Sequence, residues 1–225
     1  MGGGVSLSQL RVLAVVVAVP IAACGGLALS QGAAFAWLAH GPIQSGHAGI
    51  DCAGCHAPAP GSVRQQLQAN LAFYAGARET EADFGYAPVT SERCLDCHDR
   101  PNERHPIYRF NEPRFHQAVQ TVNAASCLGC HDEHRARRVS VGPDTCRHCH
   151  KDVTLKADPL DVSHRLLSDR GEWETCLGCH DFHGNHKAKP PVTLAQAISP
   201  ETVRAYLADG DPIYGTQKLY KAERQ

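Results

Sequence analysis

Five times in this chain two cysteines set three positions apart are followed at once by a histidine. These are Cys52/Cys55/His56, Cys94/Cys97/His98, Cys127/Cys130/His131, Cys146/Cys149/His150 and Cys176/Cys179/His180. Together they take up ten of the 11 cysteines and leave Cys24 alone near the N-terminus. The spacing lets one turn of chain present two sulfurs along one edge of a flat ring and an imidazole beneath its centre. That is the signature of covalent haem attachment, in which both thiols add to the vinyl groups and the adjacent histidine reaches the iron. A zinc ribbon does not explain it: two CxxC pairs make one site, so a fifth pair is stranded, and nothing requires histidine after every pair. A thioredoxin-like redox pair would occur once, inside a βαβ pattern. The cofactor expected is therefore five covalently bound haem c groups.

Composition agrees. The 225 residues include 14 Pro, 20 Gly and 14 His with only 6% aromatics, a poor basis for a core packed from side chains alone. Five macrocycles would fill the interior instead, so the expected fold is mostly irregular with short α-helices organised around the haems. Without them the chain should be largely unfolded, as small metal domains are without metal. Arg11 is the only basic residue before Arg64 and no acid precedes Asp51. The part beyond the N-terminal segment thus carries 21 basic against 23 acidic residues. This balance excludes a strongly basic nucleic-acid binder. An odd cysteine count excludes a framework in which every cysteine is in a disulfide.

Residues 12–29 carry no charge, and the apolar run resumes after Ser30-Gln31-Gly32 as far as Ala39. The stretch exceeds the ~20 residues that span a bilayer and the 7–15 of an ordinary signal peptide core. Trp37 and His40 would then lie at the interface. Three readings stay open: an uncleaved anchor, which segment length favours; cleavage after Ala34-Phe35-Ala36; and lipidation of Cys24 in the lipobox-like Ile21-Ala22-Ala23-Cys24. All three put the remainder on the periplasmic side of a bacterial inner membrane, where covalent haem attachment normally takes place. The expected organisation is an anchor or signal segment over 1–40, a haem domain over 41–187, and a short helix with an extended tail over 188–225.

Within the haem domain, Ser62 to about Arg78 has good helix formers, with Val63, Leu67, Leu71 and Tyr74 on one face. Glu79 to Ser91 reads as a loop. Ser199-Pro200 looks like a cap and first-turn proline for a helix to about Ala208, ended by Asp209-Gly210-Asp211-Pro212. An internal repeat is also visible. His116, Cys127-Leu-Gly-Cys130-His131 and His134 align with His164, Cys176-Leu-Gly-Cys179-His180 and His183.

The only methionine is Met1, so no Met is present in the exported domain to serve as an axial ligand. Nine histidines lie outside the motifs, enough for every iron to be bis-His, low-potential and closed to substrate. The motif ligands are His56, His98, His131, His150 and His180. The distal set expected from the repeat and from spacing is His47, His116, His134, His164 and His183. His105, followed by Pro106 in charged surroundings, is expected in a surface loop. His148 sits awkwardly between two haem-bound cysteines, and His40 and His186 are expected at surface, propionate or interfacial positions. Ten propionates would carry the domain from −2 toward roughly −12 if all ionise, since their unperturbed pKa lies far below 7. Pairing with Arg135, Arg137 and Arg138 would leave it near neutral.

From residue 47 to about 186 the sequence resembles multihaem c-type cytochromes of the class III and paired-CxxCH kind. The resemblance is carried by His47 five positions before Cys52 and by the doublet Cys127, His131, His134, Cys146, His150. It implies an irregular helix-and-loop shell around closely spaced bis-His haems that pass electrons between respiratory partners. Five haems and an N-terminal anchor depart from class III. The anchor is similar to that of membrane-bound cytochromes that oxidise quinol for periplasmic nitrate or nitrite reduction. Those usually carry a Met just after the first motif, where this chain has Ala57-Pro58-Ala59-Pro60. The run Gly49-Ile50-Asp51-Cys52 and onward to His56 also resembles the pentahaem subunit of alternative complex III. The function expected is a membrane-tethered periplasmic electron carrier whose partners are a quinone-linked complex or a periplasmic reductase. The alternatives are a quinol dehydrogenase subunit feeding such a reductase, and a reductase with one open iron.

Overall fold

A computed structural model describes residues 6–30, 41–100 and 103–222. The cleavage site at Ala34–Ala36, Trp37 and His40 lie outside these. The chain divides into two compact units, residues 1–42 and 43–225.

Among the described residues of the first unit is helix α1 (Leu7–Ser30), with no acidic residue in its first turn and Pro20 within it. Its window Leu7–Leu27 has mean hydropathy 2.2, long and apolar enough to cross a membrane. Cys24 is exposed within this helix.

The second unit is a succession of short helices and irregular chain. Among the described residues it has no strand, only isolated bridges joining Pro58 to Tyr86 and His186 to Lys218. Several elements start where a polar side chain satisfies the first free amides. Helix α2 (Cys52–Cys55) is the first CxxC turn. Helix α3 (Val63–Tyr74) begins with a capping box: the Gln65 amide donates to Ser62 Oγ, and the Ser62 amide donates to Gln65 Oε1 at 2.8 Å. It stops short of Arg78 because Gly76 takes the left-handed conformation at φ +74° and turns the chain. Helix α4 (Ser91–His98) carries the second motif, and α5 (His116–Val122) follows a pair of 3₁₀ turns. Helices α6 (Arg147–His150), α7 (His164–Asp169) and α8 (Cys176–Cys179) belong to the last two motifs and the approach to them. The sequence places a last helix after Ser199, and α9 (Pro200–Leu207) begins there, with Thr202 N donating to Ser199 Oγ. Asp209, at φ +86°, ends it.

Aliphatic side chains build only a small core. Among the described residues the buried apolar ones are Ala59, Ala118, Leu167, Val203 and Leu207. Much of the cohesion comes instead from side chains gripping backbone. Arg138 donates to the carbonyls of Tyr206 and Gly210 at 2.9 and 3.0 Å and lies over the Tyr206 ring. The tail after α9 turns back onto the segment following the fifth motif. There Lys187 N donates to Gln217 O, and Asn185 exchanges hydrogen bonds with the Tyr220 backbone. Residues 188–222 thus pack into the same unit as the five motifs.

Candidate functional site

Each CxxCH motif turns tightly, so its cysteines, three positions apart, share a face. In three of them the histidine amide closes the turn by donating to the first cysteine's carbonyl: His56 to Cys52, His131 to Cys127 and His180 to Cys176, at 2.8–2.9 Å. The second motif departs from the isolated single turn that the spacing suggests. Cys94 and Cys97 both lie within α4, which starts three residues earlier at Ser91, so Cys97 is carried near the end of a continuous eight-residue helix. The Leu-Gly pair of the repeat has a steric reason. A Cβ on Gly129 would lie 2.2 Å from Asn123 O, and one on Gly178 would lie 2.5 Å from Ile198 O. Only glycine lets these turns lie against the neighbouring backbone.

Every motif histidine faces a second histidine ring. The centroid separations are 5.9 Å for His98 and His47, 6.2 Å for His56 and His134, and 6.0 Å for His131 and His183. His150 and His105, and His180 and His164, are both 6.2 Å apart. Rings in direct stacking contact approach more closely; Phe182 and His105 here are 4.1 Å apart. Two imidazoles bound to opposite sides of one metal, at roughly 2.0 Å per nitrogen with each centroid about 1.1 Å further on, stand about 6.2 Å apart.

The other ring nitrogen is held by hydrogen bonds in His56, His131, His105, His47, His164 and His183. Nδ1 meets the Ala87 carbonyl from His56 at 2.9 Å, the Arg138 carbonyl from His131 at 2.7 Å and the Phe182 carbonyl from His105 at 2.6 Å. It meets carboxylates of Glu133 from His47 at 2.7 Å, Asp158 from His164 at 2.9 Å and Glu103 from His183. A carbonyl accepts only, so it fixes the proton on Nδ1 and turns Nε2, with its lone pair, toward the partner ring. Burial reinforces this by pushing the pKa of His98, His105, His131 and His180 below the ordinary imidazole value, which keeps them neutral. His47 is raised, because its hydrogen bond to Glu133 outweighs burial.

The cysteines fit the same arrangement. None is in a disulfide. The Cys94 and Cys127 thiols shift each other in opposite directions, as do Cys146 and Cys176, and the chain segments that carry motifs two and three, and four and five, lie against each other. Cys97 takes no part in these sulfur pairs. It is half-buried and lies on the side of the first motif, where it adds a small upward push to the Cys55 thiol, behind burial and Glu133. Cys130, Cys149 and Cys179, the second cysteines of the last three motifs, have thiols raised chiefly by burial, which keeps them protonated.

Beside the fifth motif lies a cavity of about 180 Å³. Cys176, Cys179, His180 and His164 line it, with Leu155, Leu160, Leu167, Trp173, Pro190 and Pro191 as its apolar wall. Among the described residues no three His, Cys, Asp or Glu side chains converge on one point. A metal held by protein alone needs three or four such groups, whereas a six-coordinate haem iron takes two from protein and the rest from the macrocycle. The residues present therefore fit haem.

Four of the expected distal residues, His47, His134, His164 and His183, stand opposite a motif histidine. His116 does not: it is exposed at the start of α5, and His131, the motif it precedes, faces His183 of the other repeat unit instead. The fifth place falls to His105, which sequence reasoning set in a surface loop. Buried Pro106 and the stacked Phe182 ring hold it against His150. The signal was Pro106 itself, which stiffens the chain beside the histidine. His186 is paired with Asp181 at 2.8 Å and faces Tyr214 rather than a histidine. Arg135 donates Nε to Asp132 at 2.6 Å, and Arg138 is bonded to the α9 end.

Comparison with protein-family models, with curated proteins and with solved structures finds no match to this chain.

Proposed function

We propose that this protein is a pentahaem c-type cytochrome, tethered to the bacterial inner membrane by α1, that carries electrons on the periplasmic side between a quinone-linked complex and a reductase. The observation that carries the reading is the pairing of all five CxxCH histidines with a second histidine ring at 5.9–6.2 Å.

The ten motif cysteines would hold the macrocycles by thioether bonds, Cys94 and Cys97 from one helix and the rest from shorter turns. The ten paired histidines would hold the five irons, two to each. Bound haem supplies a reversible one-electron iron couple. The chain's own part is to keep that couple closed and low in potential. Two neutral imidazoles per iron leave no position for substrate. Glu133, Asp158 and Glu103 hold His47, His164 and His183 in orientation, and their negative charge would favour the oxidised metal. The Ala87, Phe182 and Arg138 carbonyls orient His56, His105 and His131 without adding charge. Contacts between the segments of motifs two and three and of four and five would set neighbouring haems side by side for transfer within the chain.

The test is the mass and spectrum of the purified protein. The expected result is the polypeptide plus five haem masses, with a low-spin spectrum in both oxidation states. A chain without covalent haem, or with zinc in place of iron, would overturn the reading.

A further inference from the structure

Beside half-buried Ala69 and Phe73, helix α3 turns polar side chains inward: buried Gln66 donates to the carbonyls of Ala59, Pro60 and Gly61, and its Oε1 accepts from Gly85 N. Asn70 exchanges two hydrogen bonds with the Ala82 backbone. The outward face is apolar, with Val63, Leu67, Leu71 and Tyr74 exposed at 61%, 52%, 61% and 74%. At 100° per residue these four fall within one quadrant of the helix, a stripe about 16 Å long. In water such a stripe is destabilising, and nothing in the sequence of α3 forces it, since the polar residues are held on the inner side by specific bonds.

Charge and tether together name what covers it. No acidic residue lies between Asp51 and Glu79, whereas Arg64 flanks the stripe within the helix and Arg78 follows its end. An apolar face bordered by arginine, with a tyrosine at one end, is the make-up of a helix lying in a bilayer interface with anionic headgroups. The same chain carries α1, so the stripe is kept at high effective concentration near a bilayer. We infer that α3 docks on the membrane surface through Val63, Leu67, Leu71 and Tyr74, with Arg64 and Arg78 on anionic phosphates, as a second attachment beyond α1. This rests on the proposed tether and is independent of haem content.

The experiment reconstitutes the full chain in vesicles of neutral and anionic phospholipid containing a phospholipid with a photoactivatable acyl chain, and maps the labelled peptides by mass spectrometry. Label on α1 and on residues 65–78 is expected, the second several-fold stronger in anionic vesicles. Leu67→Glu with Leu71→Glu should remove the second label and leave the first; both positions are exposed, so folding is not at stake. Arg64→Glu should abolish the dependence on anionic lipid. Label confined to α1 would overturn the docking of α3. Absence of label on α1 would overturn the tether instead. A detergent-solubilised dimer that Leu67→Glu converts to monomer would assign the stripe to a second copy, and the inference would fall.

Discussion

The rings of His131 and His183 lie 6.0 Å apart although 52 positions separate them in sequence, and Glu103, from a third segment, holds the Nδ1 of His183. One pair thus ties together the third motif, the element after the fifth and the chain after the second. If both imidazoles bind one iron, His183→Ala should leave five haems attached while converting one in five to a high-spin form. Haem mass by mass spectrometry and the high-spin EPR signal of the oxidised protein read the two quantities separately. An unchanged low-spin spectrum would remove His183 from the ligand set.

His105 and His116 make opposite predictions. His105 faces His150 and is stacked on Phe182, while His116 is exposed. His105→Ala should produce a carbon monoxide-binding iron in the reduced protein, and His116→Ala should give a spectrum like that of the parent. The reverse result would restore the assignment that the repeat suggests.

Glu103 places a carboxylate on the Nδ1 of His183. Glu103→Gln keeps the hydrogen-bond geometry and removes the charge, so the oxidised iron loses more stabilisation than the reduced one. A tenfold differential effect, the lower end for such a partner, raises one midpoint potential by about 59 mV. A spectroelectrochemical titration with all midpoints unmoved would show that the carboxylate only positions the ring.

Asp209 joins α9 to the start of the domain by accepting the Ser45 amide at 3.0 Å, and Arg138 stands 3.8 Å away. These partners hold its carboxyl below the ordinary value of 3.8. Its folded-state pKa is depressed, so its stabilisation is complete above that ordinary value and disappears as pH falls through the lower folded one. Asp209→Asn should therefore unfold at lower urea than the parent at pH 6, and the two midpoints should converge on acidification below pH 4. Parallel curves across that range would refute the linkage.

Ten ionised propionates should leave the haem domain strongly negative. Electron transfer to a partner with a basic surface should then slow as the Debye length falls from about 30 Å at 0.01 M to about 8 Å at 0.15 M. Stopped-flow rates that stay flat over this range would point to internal propionate pairing instead.

What sequence alone determined is local. The five CxxCH turns, the apolar α1, the capping box of Ser62 and Gln65 and the Ser199-Pro200 start of α9 are set by neighbours within four residues, or by the length of an apolar run. The same holds for the face that Val63, Leu67, Leu71 and Tyr74 share. Periodicity marked that face but not its direction, because the bonds that turn Gln66 and Asn70 inward come from Gly85 and Ala82, beyond the helix. Which histidine faces each motif was decided only by tertiary structure. The repeat sets His116 and His164 at nearly equal offsets, 11 and 12 residues before the first cysteine, yet His164 faces its own motif while His131 faces His183 from the other repeat unit. A ring pair depends on where two separate segments come to rest, and spacing along one segment carries no record of that. His105 shows the same limit from the other side: Pro106 stiffens its backbone locally, but only the packing of Phe182 against its ring aims it at His150.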